Sequence, residues 1–199
     1  SVPRVDKLVG PGSIWVAAAK RAVFGEVGID CEAGPSEVLI LADKTATPAW
    51  LAADLVAQAE HDELACAVLV TPVKGLVARV QEAIAKMLKT IDRAKIAQAA
   101  LAARGAIVQT RNMDEAIEIA NRYAPEHCLV AADAPDPIAK RILNAGALFL
   151  GHYTPVACGD YCAGPNHVLP TGGTARFFSP LGVEDFMKRM SILRFEAPK

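Results

Sequence analysis

The chain has 199 residues, 52% of them hydrophobic and only 6% aromatic, with a formal net charge of −1. The near-neutral balance excludes a basic nucleic-acid surface or a polybasic membrane patch, and no apolar run reaches the roughly 20 residues that a membrane helix needs. Five cysteines, an odd number in a chain of this length, argue against a secreted disulfide framework. Reduced thiols and the lack of a signal-peptide pattern point to the cytoplasm.

The first 35 residues carry a polar opening and Gly10-Pro11-Gly12, then a helical run from Ile14 to Phe24 that ends before Gly34-Pro35. Glu37–Ala42 (EVLILA) reads as a strand. Thr47-Pro48 is a helix start, with a side-chain oxygen at the N-cap and proline at N1. That helix runs to about His61, with Trp50, Leu51, Leu55 and Val56 on its apolar stripe. Ala67–Thr71 is a second strand, and helical spacing continues from Leu76 to Ala103 with a break at Thr90–Asp92. Ala106–Thr110, Cys128–Ala132 and Ala147–Leu150 read as further strands, separated by helices over Met113–Arg122 and Pro137–Asn144. Residues 151–176 show no periodicity and are too long for an idle connection. A last helix is expected over Val183–Met190.

Strands alternating with helices predict an α/β fold, an open doubly wound, mostly parallel sheet of incomplete Rossmann-like form, with a long functional loop and a C-terminal helix. In such sheets, ligands bind beyond the carboxyl ends of the strands.

Three clusters could carry chemistry. Gln58 and His61 stand three residues apart, so one helical face offers an amide oxygen and an imidazole to one ion. Glu126 and His127 place a carboxylate and an imidazole at a strand start, where both could move protons. Asp160 and His167 lie in the long segment; Cys158 and Cys162 flank Asp160, which raises a thiolate-rich zinc site, but their Cys-x3-Cys separation and the lack of a second cysteine pair nearby in sequence count against it. Gly10-Pro11-Gly12 before a helix could bring backbone N–H groups to a phosphate. Taken singly, each pattern also describes an ordinary solvated helix end or polar turn. His152 has no partner close in sequence and reads as structural or solvent-facing.

Taken together and in order, these runs resemble histidinol dehydrogenase. The matching segments are Val5-Asp6-Lys7, Gly10-Pro11-Gly12, Ala33-Gly34-Pro35-Ser36-Glu37-Val38, Gln58-Ala59-Glu60-His61 and Ala124-Pro125-Glu126-His127. Gly159-Asp160-Tyr161, Asn166-His167-Val168-Leu169-Pro170 and Ser179-Pro180-Leu181-Gly182 complete them. The resemblance implies a zinc-dependent enzyme that oxidises L-histidinol through L-histidinal to L-histidine with NAD+. It implies Gln58, His61 and Asp160 as zinc ligands that also meet the substrate, Ser36 as a substrate contact, and Glu126 and His127 as the catalytic pair, His127 also binding substrate. His167 falls in a matching motif.

The family pattern has Asn after Gly-Pro-Gly, where it contacts NAD; here the position is Ser13, a shorter arm with one hydroxyl. Family members are about twice as long on a two-domain expectation. Residues 1–35 are therefore expected to be a remnant of the NAD-binding domain, residues 36–176 the substrate and zinc domain, and residues 177–199 the start of a helical tail. The family's tail, which would give a histidine ligand and a glutamate to the partner subunit of a homodimer, lies past Lys199. Two other readings fit the same residues: a related zinc- and NAD-dependent alcohol dehydrogenase for another small polyol, and a non-catalytic fragment that binds zinc or ligand.

Overall fold

The chain folds as an alternation of strands and helices, and the computed structural model describes residues 3–197. A small parallel pair comes first, β1 (Lys7–Leu8) and β2 (Gly28–Ile29), with α1 (Ile14–Val23) between its strands. Sequence reading did not anticipate this pair, since two-residue strands leave no alternation to detect. The main sheet contains β3 (Glu37–Ala42), β4 (Cys66–Thr71), β5 (Gly105–Gln109), β6 (His127–Ala131) and β7 (Ala147–Leu150). All its pairings are parallel, in the order β5-β4-β3-β6-β7. The chain therefore reverses direction across the sheet between β3 and β6.

Helices cover both faces. Val38, Ile40 and Ala42 point to the layer of α2 (Pro48–Ala59), α3 (Lys74–Met87), α4 (Ala94–Arg104) and α7 (Val156–Tyr161). Leu39 and Leu41 point the other way, to α5 (Met113–Tyr123) and α6 (Pro135–Ala139). This two-sided burial is why β3, β4 and β6 read as unbroken apolar runs rather than alternating ones. Truncating Leu39, Ile40 or Leu41, each fully buried, to alanine would cost about 2–5 kcal/mol.

Four expectations need correction. Thr47 precedes α2 with Pro48 at N1, but its side chain makes no capping bond; its carbonyl alone receives the first helical N–H groups. The helix expected over Pro137–Asn144 is the five-residue α6, starting at Pro135. Asn121 draws the following chain away by accepting from Leu143 and Asn144 N–H. Residues 151–176 are not all loop, because α7 and a 3₁₀ turn at Thr174–Arg176 lie within them. The expected helix over Val183–Met190 is only a 3₁₀ turn at Val183–Phe186. Little packs against it, and an isolated short helix is unstable in water.

Candidate active site

Gln58 is the penultimate residue of α2, and His61 lies just past its end, where His61 N–H donates to the Gln58 carbonyl at 3.3 Å. The last turn of the helix thus keeps both side chains on one side. Gln58 is buried, and its amide Nε2 has no hydrogen-bond partner. Arg93, at the start of α4, donates to the His61 carbonyl at 3.3 Å and ties this corner down.

Glu126 and His127 enter β6 from a constrained corner. Ala124 closes α5 in the left-handed region (φ 53°), so Pro125 and Glu126 leave at a sharp angle. Both catalytic candidates then bind the backbone of one residue of β3, Glu37. Glu37 N–H donates to Glu126 Oε2 at 2.7 Å, and His127 Nδ1 lies 2.9 Å from the Glu37 carbonyl. A carbonyl only accepts, so Nδ1 carries the proton and Nε2 keeps its lone pair. Glu126 Oε2 also lies 3.4 Å from His127 Nδ1. Burial pushes the His127 imidazole down, but the Glu126 carboxylate and the Glu37 carbonyl outweigh it, and the net shift is upward. Glu37 itself is lifted by burial against a bond from Gly172 N–H, and its Oε2 is buried without a partner.

Asp160 sits on α7. Gly159 lets this helix press against Phe149: a Cβ there would stand 2.7 Å from the ring. Phe149 in turn packs against the His127 ring, with centroids 5.9 Å apart. Asp160 and the Glu126–His127 pair are therefore positioned by one packed side chain.

Ser36, Gln58, His61, Glu126, His127, Asp160 and His167 all line one cavity of about 400 Å³. Gln58, Glu126 and His127 form its buried wall, and His61, Asp160 and His167 its open rim. Pro11 and Tyr161 also line it. Neither had a role assigned from sequence, although both stand in the matching motifs. Gln58, His61, Asp160 and Tyr161 also border a second cavity of about 220 Å³ that contains Asp54, Glu60 and Arg93. Ser13 lies apart, in an adjoining groove of about 320 Å³ that shares Ser36 with the main cavity.

The location overturns one expectation. Ser36, Glu126 and His127 stand at the amino ends of β3 and β6, not beyond the carboxyl ends. They lie at the reversal point, but at its opposite edge. The carboxyl edge holds His152, bonded to Thr45 Oγ1 at 2.9 Å and to Asp133 at 3.2 Å, a structural tie between loops.

The donor set suits zinc: an imidazole nitrogen, a carboxylate oxygen and an amide. The unpartnered Gln58 amide supports this, because its oxygen and nitrogen ends can exchange places. Among the described residues, no group of three or more His, Cys, Asp or Glu side chains is arranged to hold a metal. The set therefore depends on the Gln58 amide, and a thiolate-rich site at Cys158 and Cys162 finds no support. No helix among the described residues is long and apolar enough to cross a membrane.

The histidinol dehydrogenase family model matches residues 1–199. The chain is 57% identical over 193 residues to histidinol dehydrogenase of Ralstonia nicotianae, covering 97% of this chain and 44% of that protein. It is 55% identical over 197 residues to that of Geobacter sulfurreducens, covering 99% and 46%. The crystal structure of histidinol dehydrogenase from Elizabethkingia anophelis superposes with a TM-score of 0.90 at 36% identity, over 95% of this chain and 44% of that one. Gamma-glutamyl phosphate reductase of Thermotoga maritima, at 15% identity and a TM-score of 0.60, shares the fold alone. The chain spans less than half the length of the curated relatives it matches. A match along its whole length, at more than half identity to proteins of several bacteria, makes this chain a member of the histidinol dehydrogenase family.

Proposed function

We propose that the intact protein oxidises L-histidinol to L-histidine through L-histidinal, using two NAD+ and one zinc ion per site, as a cytoplasmic homodimer. The observation that carries this reading is the Glu126–His127 pair bound to the Glu37 backbone in the cavity that also holds Gln58, His61 and Asp160. Residues 1–35 would belong to the NAD side of the enzyme, residues 36–176 to the substrate side and residues 177–199 to the start of the tail.

Zinc, held by Gln58, His61 and Asp160, would supply a positive centre that orients the imidazole and amine of the substrate. Ser36 and His167 face the same cavity and would complete the substrate's polar contacts. His127 Nε2, left as an acceptor by the Nδ1 bond, takes the alcohol proton while the carbinol hydride departs to NAD+. The product of this step is the aldehyde. Glu126 then removes a proton from water as its oxygen adds to the aldehyde carbon. His127 returns its proton to the aldehyde oxygen to complete the hydrate, which then would lose a second hydride to a second NAD+ and a proton back to His127. The balance is one alcohol, one water and two NAD+ giving one carboxylic acid, two NADH and the released protons. The buried wall of Gln58, Glu126 and His127 would shield one side of the aldehyde from bulk water between steps.

NADH formation from L-histidinol by the intact protein tests the reading, together with zinc content. His127→Ala is expected to lower kcat about 10²–10⁴-fold with zinc retained. Glu126→Gln is expected to release aldehyde, trappable with a hydrazine, after one NADH. No NADH from wild-type protein, or unchanged turnover in His127→Ala, would sink the assignment.

A further inference from the structure

One buried ion pair lies outside the catalytic constellation. Lys20 Nζ contacts Asp30 Oδ1 at 2.6 Å, with side chains only 5% and 1% exposed. Both groups also bind the same residue of the Gly-Pro-Gly turn. Asp30 Oδ2 accepts from Gly10 N–H at 2.6 Å, and Lys20 donates to the Gly10 carbonyl. Asp30 Oδ1 further accepts from Cys31 N–H at 2.7 Å. Gly10 has φ 119°, a conformation that side chains oppose. Burial pushes the Asp30 carboxyl up, but Lys20 and the two N–H donors more than reverse this, so it remains ionised.

Such a pair is a costly way to fill a core, since apolar residues of similar size often serve as well or better. Its specific yield here is a turn held by both faces of one residue. Pro11 follows at once and forms part of the main cavity wall. Ser13 and Trp15 line the adjoining groove, which meets that cavity at Ser36.

We propose that Lys20 and Asp30 are positioning residues that set the Gly10–Ser13 turn, and through it the seat of the nicotinamide cofactor beside the cavity. This rests on the NAD-dependent reading above. The pair acts on the cofactor side and leaves the Gln58–His61–Asp160 corner untouched.

The test uses the intact protein with three readouts: KM for NAD+, zinc affinity by chelator competition, and melting temperature. The double variant Lys20→Met/Asp30→Leu replaces the pair by apolar bulk. It leaves the Gly10 and Cys31 N–H groups without their acceptor and is expected to melt below wild type, yet to hold zinc equally well, while KM for NAD+ rises about tenfold or more, the effect of losing charge-assisted bonds. Asp30→Asn keeps an acceptor for Gly10 but loses the charge, and is expected to raise KM less. It decides the matter by the same readouts if the double variant does not fold. Wild-type KM in these variants, or a rise in KM matched by equal loss of zinc affinity, overturns the positioning role. A wild-type protein that reduces no NAD+ with L-histidinol overturns the reading beneath it as well, so the two failures are told apart.

Discussion

His127 is pulled in two directions by its surroundings. Burial disfavours its charged form, while the Glu126 carboxylate and the Glu37 carbonyl favour it, and the balance lies above the ordinary 6.5. Two opposite pH trends follow. Protonation removes the acceptor at Nε2, so kcat/KM is expected to rise with pH through a value above 6.5. Stability runs the other way. The contribution of the Glu126–His127 contact is fully present below the unfolded-state value and is lost as pH rises through the folded one. Denaturant midpoints and kcat/KM, taken across that window on the intact protein, check both, and His127→Asn should remove the slope from the stability curve. A stability that increases with pH there, traceable to His127, would contradict the balance. The types of these residues were legible in the sequence, because Glu, His, Gln and Asp recurred in spaced motifs. The Glu37 backbone that joins them was not, since nearly every residue has the same N–H and C=O and no letter marks which residue's are used.

The strands and the long helices could be read from apolar runs, and β3 and β7 begin and end where expected. Signal failed where elements are short. α7 has six residues, VACGDY, too few for a helical stripe, and its glycine looks like a turn residue. Only the packed structure shows that Gly159 is there for the Phe149 ring. Gly159→Ala would place a methyl 2.7 Å from Phe149 Cζ, so the ring or the helix must move. Overpacking of this kind costs about 1–3 kcal/mol. Because Asp160 follows directly on α7 and Phe149 touches His127, the displacement is expected at the site itself. Zinc affinity should fall about tenfold, along with a lower melting temperature. Chelator competition on the intact protein measures the first, and unchanged affinity in a destabilised variant would show that Asp160 is not held through this contact. The same scale explains the misplaced edge. The candidate cavity lies at the reversal between β3 and β6, but the rule for the carboxyl edge assumes that loops there carry the ligands. Here α2 and α7 both end at the amino edge and deliver Gln58, His61 and Asp160 to it.

At the scale of the molecule, the main sheet is covered by its own helices on both faces, yet much apolar surface is left outside. Trp15 and Phe24 are exposed on and beside α1. Past the 3₁₀ turn, residues 187–197 have no regular structure, and Met187, Met190, Ile192, Leu193 and Phe195 all stand in solvent, Phe195 at 93%. The segment is anchored near its start, where Lys7 bonds Asp185 at 2.9 Å and Leu181 N–H donates to the Val168 carbonyl. Soluble monomers rarely leave apolar surface of this extent uncovered. The 199-residue chain by itself is therefore expected to self-associate in a concentration-dependent way in sedimentation velocity. Replacing Ile192, Leu193 and Phe195 each by Glu should suppress that association. These side chains are outside the core, so each change should alter folding stability by no more than about 0.5 kcal/mol. The triple variant then separates the two sources of stickiness. A monomer with a wild-type circular dichroism spectrum assigns the association to the tail, whereas unchanged association shifts it to the Trp15–Phe24 side. A monodisperse monomer in the unmodified chain at every concentration would show that this apolar surface has no affinity for itself.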